Sequence, residues 1–121
     1  MGTKLIDQYT LLHFAVGITF YFWGFSFIRF LIIHTAFELL ENTTIGIIFL
    51  NSISNSVRPY GLKWPGDKRY SDSKQNIIGD TIGGVVGWYV AYLVDEYGKK
   101  NKLLRQPHEI SMEAGGVRKL Y

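Results

Sequence analysis

The run from Ser71 to Val94, SDSKQNIIGDTIGGVVGWYVAYLV, opens on five polar residues and is then apolar except for a few residues that recur with helical spacing. Asn76, Asp80, Gly83, Gly84, Gly87 and Ala91 follow one another at intervals of three and four, so a helix collects them on one stripe. The other faces are greasy. Such a helix suits a bilayer when its polar, small-residue edge packs against more protein. An ionisable residue at that depth, here Asp80, then needs a partner, a proton or a task. Gly79, Gly83 and Gly87 repeat at every fourth position, which lets a neighbouring backbone come close, and Gly84 extends the same small surface.

The rest of the chain divides into blocks. Residues 9–53 are nearly all apolar or aromatic, whereas 54–75 and 95–121 are polar and basic. That alternation predicts an all-α, small polytopic transmembrane bundle of three spanning helices, at about 8–24, 26–42 and 74–94. Residues 43–57 are too short to cross comfortably and predict an interfacial or re-entrant segment, or a continuation of the second helix. Pro59, Gly61, Pro65 and Gly66 rule out a long helix over 58–74, a basic and aromatic loop suited to the headgroup zone. Residues 1–94 are thus read as a transmembrane domain and 95–121 as a basic polar tail.

With 121 residues there is room for one small domain, and a net charge of +3 suits anionic lipid headgroups. No nucleic-acid motif accompanies the basic residues, and no nucleic acid is expected as partner. The absence of cysteine removes disulfides and thiolate metal sites. No cleavable signal is expected, because the first apolar stretch outruns a typical signal core and no small-x-small site follows. Met1-Gly2 is not read as a myristoylation site, since Ile6 stands where Ser or Thr is needed. Basic residues flank the spans about equally on both sides, so the positive-inside rule favours neither orientation.

Each span keeps its polar residues on one stripe. In the first these are Thr10, His13, Gly17, Tyr21 and Gly24; in the second, His34, Glu38 and Glu41 at i, i+4 and i+7. Packing stripe on stripe would gather His13, His34, Glu38, Glu41, Asn76 and Asp80 inside the bundle. One reading is that these groups are glue, fixing register at about 1 kcal/mol or less each, with Asn76 and Asp80 bonding one another. The other is a functional site, because intramembrane ionisable groups mark chemistry or transport. His34 and Glu38 stand one turn apart, with His13, Glu41 or Asp80 as further donors. Without Cys or a His-Glu-x-x-His pattern, no metal is assigned, and no cofactor motif is present. Arg58-Pro59 matches a fragment of the lipid phosphatase signature, but its Pro-Ser-Gly-His element is missing, as are the spaced aspartates of phospholipid-forming phosphotransferases.

Taken together, several motifs resemble the VanZ-like and YjdF-type small membrane proteins. They are Asp7 with Leu12-His13-Phe14, then His34 through Glu38 to Glu41-Asn42, then Asp72 with Asn76, Gly79-Asp80, Gly83 and Gly87. The resemblance covers roughly residues 7–94. It implies that Asp7, His13, Glu38, Glu41, Asn76 and Asp80 are the characteristic polar positions, and it links one branch to glycopeptide resistance and the cell envelope. The basic loop and tail of this chain depart from that pattern.

Two functional expectations follow. In the first, the protein is a membrane enzyme or carrier for a lipid-like or lipid-linked molecule. Glu38 or Glu41 would accept a proton, His34 or His13 would partner it, and Asp80 would orient it, with Asn76 nearby. Arg58, Lys63, Lys68 and Arg69 would hold an anionic headgroup. In the second, it is a non-enzymatic structural component of a cell envelope or virion inner membrane. It would then form homo-oligomers through the glycine face or anchor a protein layer through its loop and C-terminal tail.

Overall fold

The computed structural model describes residues 2–101 and 103. These form α1 (Gln8–Phe22), α2 (Phe27–Glu41), α3 (Thr44–Val57), a 3-10 turn (Arg58–Tyr60) and α4 (Lys74–Lys100), with no strand among the described residues. The class is therefore all-helical.

Local chemistry sets the boundaries. Asp7 caps α1 by accepting from the Tyr9 and Thr10 amides, while the Thr10 hydroxyl accepts from the Asp7 amide at 3.2 Å, a reciprocal capping box. The helix ends at Trp23, and Gly24 takes a left-handed φ of 82° that turns the chain toward α2. Trp88 Nε1 donates to the Phe25 carbonyl at 3.1 Å, tying that turn to α4. Thr43 caps α3 and Ser73 caps α4. Between α2 and α3 the chain bends by 91° at a short break. The Asn42 amide group covers the Glu38 carbonyl there at 2.8 Å.

Helices α1 and α4 run parallel. An added Cβ at Gly79 would meet the Leu5 carbonyl, one at Gly83 that of Thr10, and one at Gly87 that of Phe14. Further along, the Tyr21 hydroxyl donates to Asp95 at 2.5 Å. Helix α2 returns antiparallel, with His34 beside His13 and Phe30 beside Phe20. One end of the bundle thus collects the N-terminal segment, α3 and the loop 61–73. The opposite end holds the turn at 23–26 and the last turns of α4.

The packing inverts the usual order of a water-soluble domain. Among the described residues the buried large hydrophobic side chains are Phe30 and Leu50, joined by Ala91, while His13, His34, Glu38, Glu41, Asn76, Asp80 and Asp95 are also buried. Leu11, Ile28, Ile32, Leu39, Leu40, Ile82 and Leu93 point outward. Aromatic rings gather at the turn end, where Tyr21, Phe27, Tyr89 and Tyr92 surround Trp88.

Span lengths differ from the sequence expectation. Among the described residues only α4, with 27 residues, is long and apolar enough to cross a bilayer alone; α2 and α3 would qualify only as one sharply bent span. Helices α1 and α2 have 15 residues each, about 22 Å against a hydrocarbon core of about 30 Å. Thr44–Val57 form a helix of their own, set at 91° to α2 after a short break, so any continuation of α2 is a sharply bent one. Helix α4 extends through Lys100, past the expected end of the span at 94. The tail beyond it, apart from Asn101 and Leu103, lies outside the described residues.

Candidate functional site

The inward stripes of α1, α2 and α4 meet near the middle of the bundle. His13 lies on α1 opposite His34 on α2, with Nδ1 of the first 3.0 Å from Nε2 of the second. Glu38, one turn beyond His34, brings Oε1 to 3.2 Å from His13 Nδ1 and 3.9 Å from His34 Nε2. On the other side of the His13 ring, Nε2 faces Asp80 Oδ2 at 3.7 Å. Asp80 is itself fixed by Thr10, whose hydroxyl donates to Oδ1 at 2.6 Å. Four of the six expected groups therefore share one site: His13, His34, Glu38 and Asp80.

The other two lie elsewhere. Asn76 does not bond Asp80; its amide donates to the Lys4 carbonyl at 2.9 Å and to Asp7 Oδ2 at 3.2 Å, fastening the N-terminal segment to α4. Glu41, a turn nearer the end of the bundle, pairs with Lys68, which also pairs with Asp72.

Lys68 corrects the sequence reading. It was expected among the headgroup-binding cations, yet its ammonium points inward and is 8 % exposed. The cause is its backbone anchor: Asn51 accepts from the Lys68 amide at 2.9 Å and donates to the Lys68 carbonyl at 2.7 Å. That double bond pattern pins the loop against α3 and aims the side chain at Glu41 and Asp72. Burial opposes the ammonium form, but hydrogen bonds to Asp72 and Glu41 outweigh it and raise the Lys68 pKa above the ordinary 10.5. Arg58, Lys63 and Arg69 remain exposed. Arg58 and Arg69 border a polar cleft of about 280 Å³ with Asn51, Asn55 and Asp67.

A second, larger cleft of about 480 Å³ opens between α1 and α2. Its walls are Leu12, Val16, Phe20, Phe30, Ile33 and Phe37, and Trp64, Pro65 and Gly66 cover one end. His13, His34, Asp80, Glu41, Lys68 and Asp72 contribute its polar lining. The cleft thus joins an apolar groove to the charged interior.

Gly83 and Gly87 occupy the α1–α4 contact, Gly79 lies against Leu5 just before α1, and the Cβ position of Gly84 faces His34 and Phe30 of α2. Gly17, expected on the inward stripe of α1, closes the α1–α4 contact, its Cβ position lying 2.0 Å from the Gly84 carbonyl, a partner that spacing alone does not name. Thr10 is likewise on that stripe, one turn before His13, but the sequence reading does not pair it with Asp80. Asn51 left no readable signal, because its contact depends on how the loop folds back.

Comparison with protein-family models, with curated proteins and with solved structures finds no match for this chain.

Proposed function

We propose that this chain is a multi-pass membrane protein that receives a lipid-like or lipid-linked molecule in the cleft between α1 and α2. The apolar chain would lie along Val16, Phe20, Ile33 and Phe37, and the polar head would meet His13, His34 and Asp80. The observation that carries the reading is this continuous path from an outward-opening greasy groove to buried charge. Apolar surroundings on the outside and ionisable groups within are the arrangement that lipid, not water, favours. The short helices α1 and α2 would cross with help from their flanking aromatics and local thinning of the bilayer. Helix α3, set across the end of α2 with Ile45, Ile48 and Phe49 outward, would lie in the interface.

Within that reading Glu38 is the better proton acceptor than Glu41, which Lys68 already engages. His13 is its partner at 3.2 Å, and Asp80 orients His13. Arg58 and Arg69 are placed to receive an anionic headgroup at the same end of the bundle. The VanZ-like resemblance belongs to the same proposal, since three of its characteristic positions, His13, Glu38 and Asp80, meet in this cluster.

The test is to fill the groove. Val16→Trp should reduce the lipid that co-purifies in mild detergent, read by native mass spectrometry, by about tenfold, since a steric block in a packed groove is worth at least ~1.4 kcal/mol. Its elution and melting should stay near those of the parent. Unchanged lipid retention in a well-folded Val16→Trp protein contradicts the proposal. A variant that keeps biological function with the groove filled, yet loses it on deletion of residues 99–121, would favour the structural role instead.

A further inference from the structure

We infer that His13, His34 and Glu38 form a binding site for one divalent transition-metal ion of the zinc type, backed by Asp80. The inference does not depend on the lipid reading, although it uses the same inward cluster: with a metal bound, Glu38 is a ligand and no longer a free proton acceptor. It departs from the sequence expectation, which assigned no metal.

Geometry comes first. His13 Nδ1, His34 Nε2 and a Glu38 oxygen lie within 4.8 Å of one another, and all three residues are buried. Their separations are 3.0, 3.2 and 3.9 Å. Two ligand atoms each about 2.1 Å from a tetrahedral zinc ion stand roughly 3.4 Å apart, so the triangle closes around one ion with sub-ångström adjustment. His34 and Glu38 come from successive turns of one helix, and His13 comes from the facing helix. The donor set, two imidazoles and one carboxylate, leaves a fourth position free, as at catalytic zinc sites. His13 and His34 also line the cleft.

An independent observation points to a missing ligand. Glu38 is 1 % exposed, yet neither of its carboxylate oxygens has a hydrogen-bond partner among the described residues, and His34 Nδ1 also lacks one. A carboxylate sealed away from water and left so poorly bonded is costly. A cation between Glu38 and the two imidazoles removes that cost.

The surroundings supply the outer shell. Metal-bound imidazoles commonly give their second nitrogen to a carboxylate, which fixes the tautomer. Here His13 would ligate through Nδ1 while Nε2 faces Asp80 at 3.7 Å. Asp80 is in turn held by the Thr10 hydroxyl. A divalent ion with the Glu38 and Asp80 carboxylates also sums to zero charge, the balance that an apolar environment demands.

The experiment uses the full chain, purified without a histidine tag in mild detergent, stripped with chelator and dialysed against Zn²⁺ or Co²⁺. About one equivalent should bind, and Co²⁺ should give the visible absorption of a low-symmetry, four-coordinate site. Asp80→Asn should weaken binding roughly 10–100-fold without abolishing it. His13→Ala should abolish it, while His108→Ala, the third histidine of the chain, should change nothing. Elution and melting of each variant, measured before metal is added, separate loss of the site from loss of the fold. Parent protein that is folded but takes up less than a tenth of an equivalent of either ion overturns the inference. Uptake that survives His13→Ala, or that vanishes with His108→Ala, overturns it equally.

Discussion

Replacing Lys68 with Met should destabilise the protein by about 3–5 kcal/mol, more than any other single change of charge in the loop 61–73. Lys68 is the cation facing Glu41 and Asp72, and both pairs are almost fully enclosed. Removing it leaves two carboxylates close together without compensation. The effect should appear as a large fall in the melting temperature in detergent. It should be mostly reversed by adding Glu41→Gln and Asp72→Asn, because neutral isosteres no longer need the ammonium. The pH dependence has a definite sign. The Lys68 pKa is raised in the folded state, so its contribution is complete below the ordinary lysine value of 10.5 and disappears as pH rises through the elevated folded value. Stability lost on moving from neutral to mildly acidic pH must therefore come from other groups. An exposed headgroup ligand would behave differently: Lys68→Met would then leave melting unchanged and weaken only lipid binding.

Gly87→Ala is expected to be the second large effect, and its direction separates two physical accounts. By helix propensity alone, alanine should stabilise α4 by about 1 kcal/mol. The α1 backbone forbids that gain. A Cβ at Gly87 would stand 1.9 Å from the Phe14 carbonyl oxygen and 2.8 Å from its carbon. Backbone cannot rotate away as a side chain does, so the helices must separate. Overpacking of this kind costs about 1–3 kcal/mol and here acts along the main contact of the bundle. The net result should be a clear loss of thermal stability, together with looser coupling of Tyr21 to Asp95. Val86→Ala, one residue earlier on an outward face with 46 % exposure, provides the control and should change little. A stabilised Gly87→Ala protein would show that α1 does not sit on the glycine face.

Much of this arrangement is written in residue spacing. The α4 stripe is legible because a helix has one period, and every stripe residue from Asn76 to Ala91 is buried as that period requires. The meeting of His13 with His34, Glu38 and Asp80 follows from the same rule applied to three helices, each with one hydrophilic edge. What spacing cannot give is axial offset. Glu41 and Asn76 lie on the right faces but near the end of the bundle, where Lys68 and Asp7 reach them first. The inward turn of Lys68 depends on Asn51, 17 positions earlier, and on a loop whose path no local pattern encodes. The bend after Glu41 has a weak local signature in Asn42 and Thr43, which cap rather than continue a helix. The turn at 23–26 is legible in Gly24 and Ser26, and the ends of α1 and α2 fall within two residues of the spacing's expectation. What the apolar pattern overstates is span length, since α4 alone among the described residues is long enough to cross a bilayer unaided.

The claim beneath the proposed lipid-binding role is that α1, α2 and α4 all cross the bilayer. Cysteine labelling tests it directly, because the natural chain contains no cysteine to interfere. Ser26, exposed and with no side-chain cap bond at the start of α2, and Lys63, exposed in the loop, can each be changed to Cys singly. In sealed vesicles of uniform orientation, a membrane-impermeant maleimide should label one of these positions and spare the other until the membrane is opened. Equal labelling of both positions in intact vesicles would place the α1–α2 hairpin outside the bilayer and contradict the account.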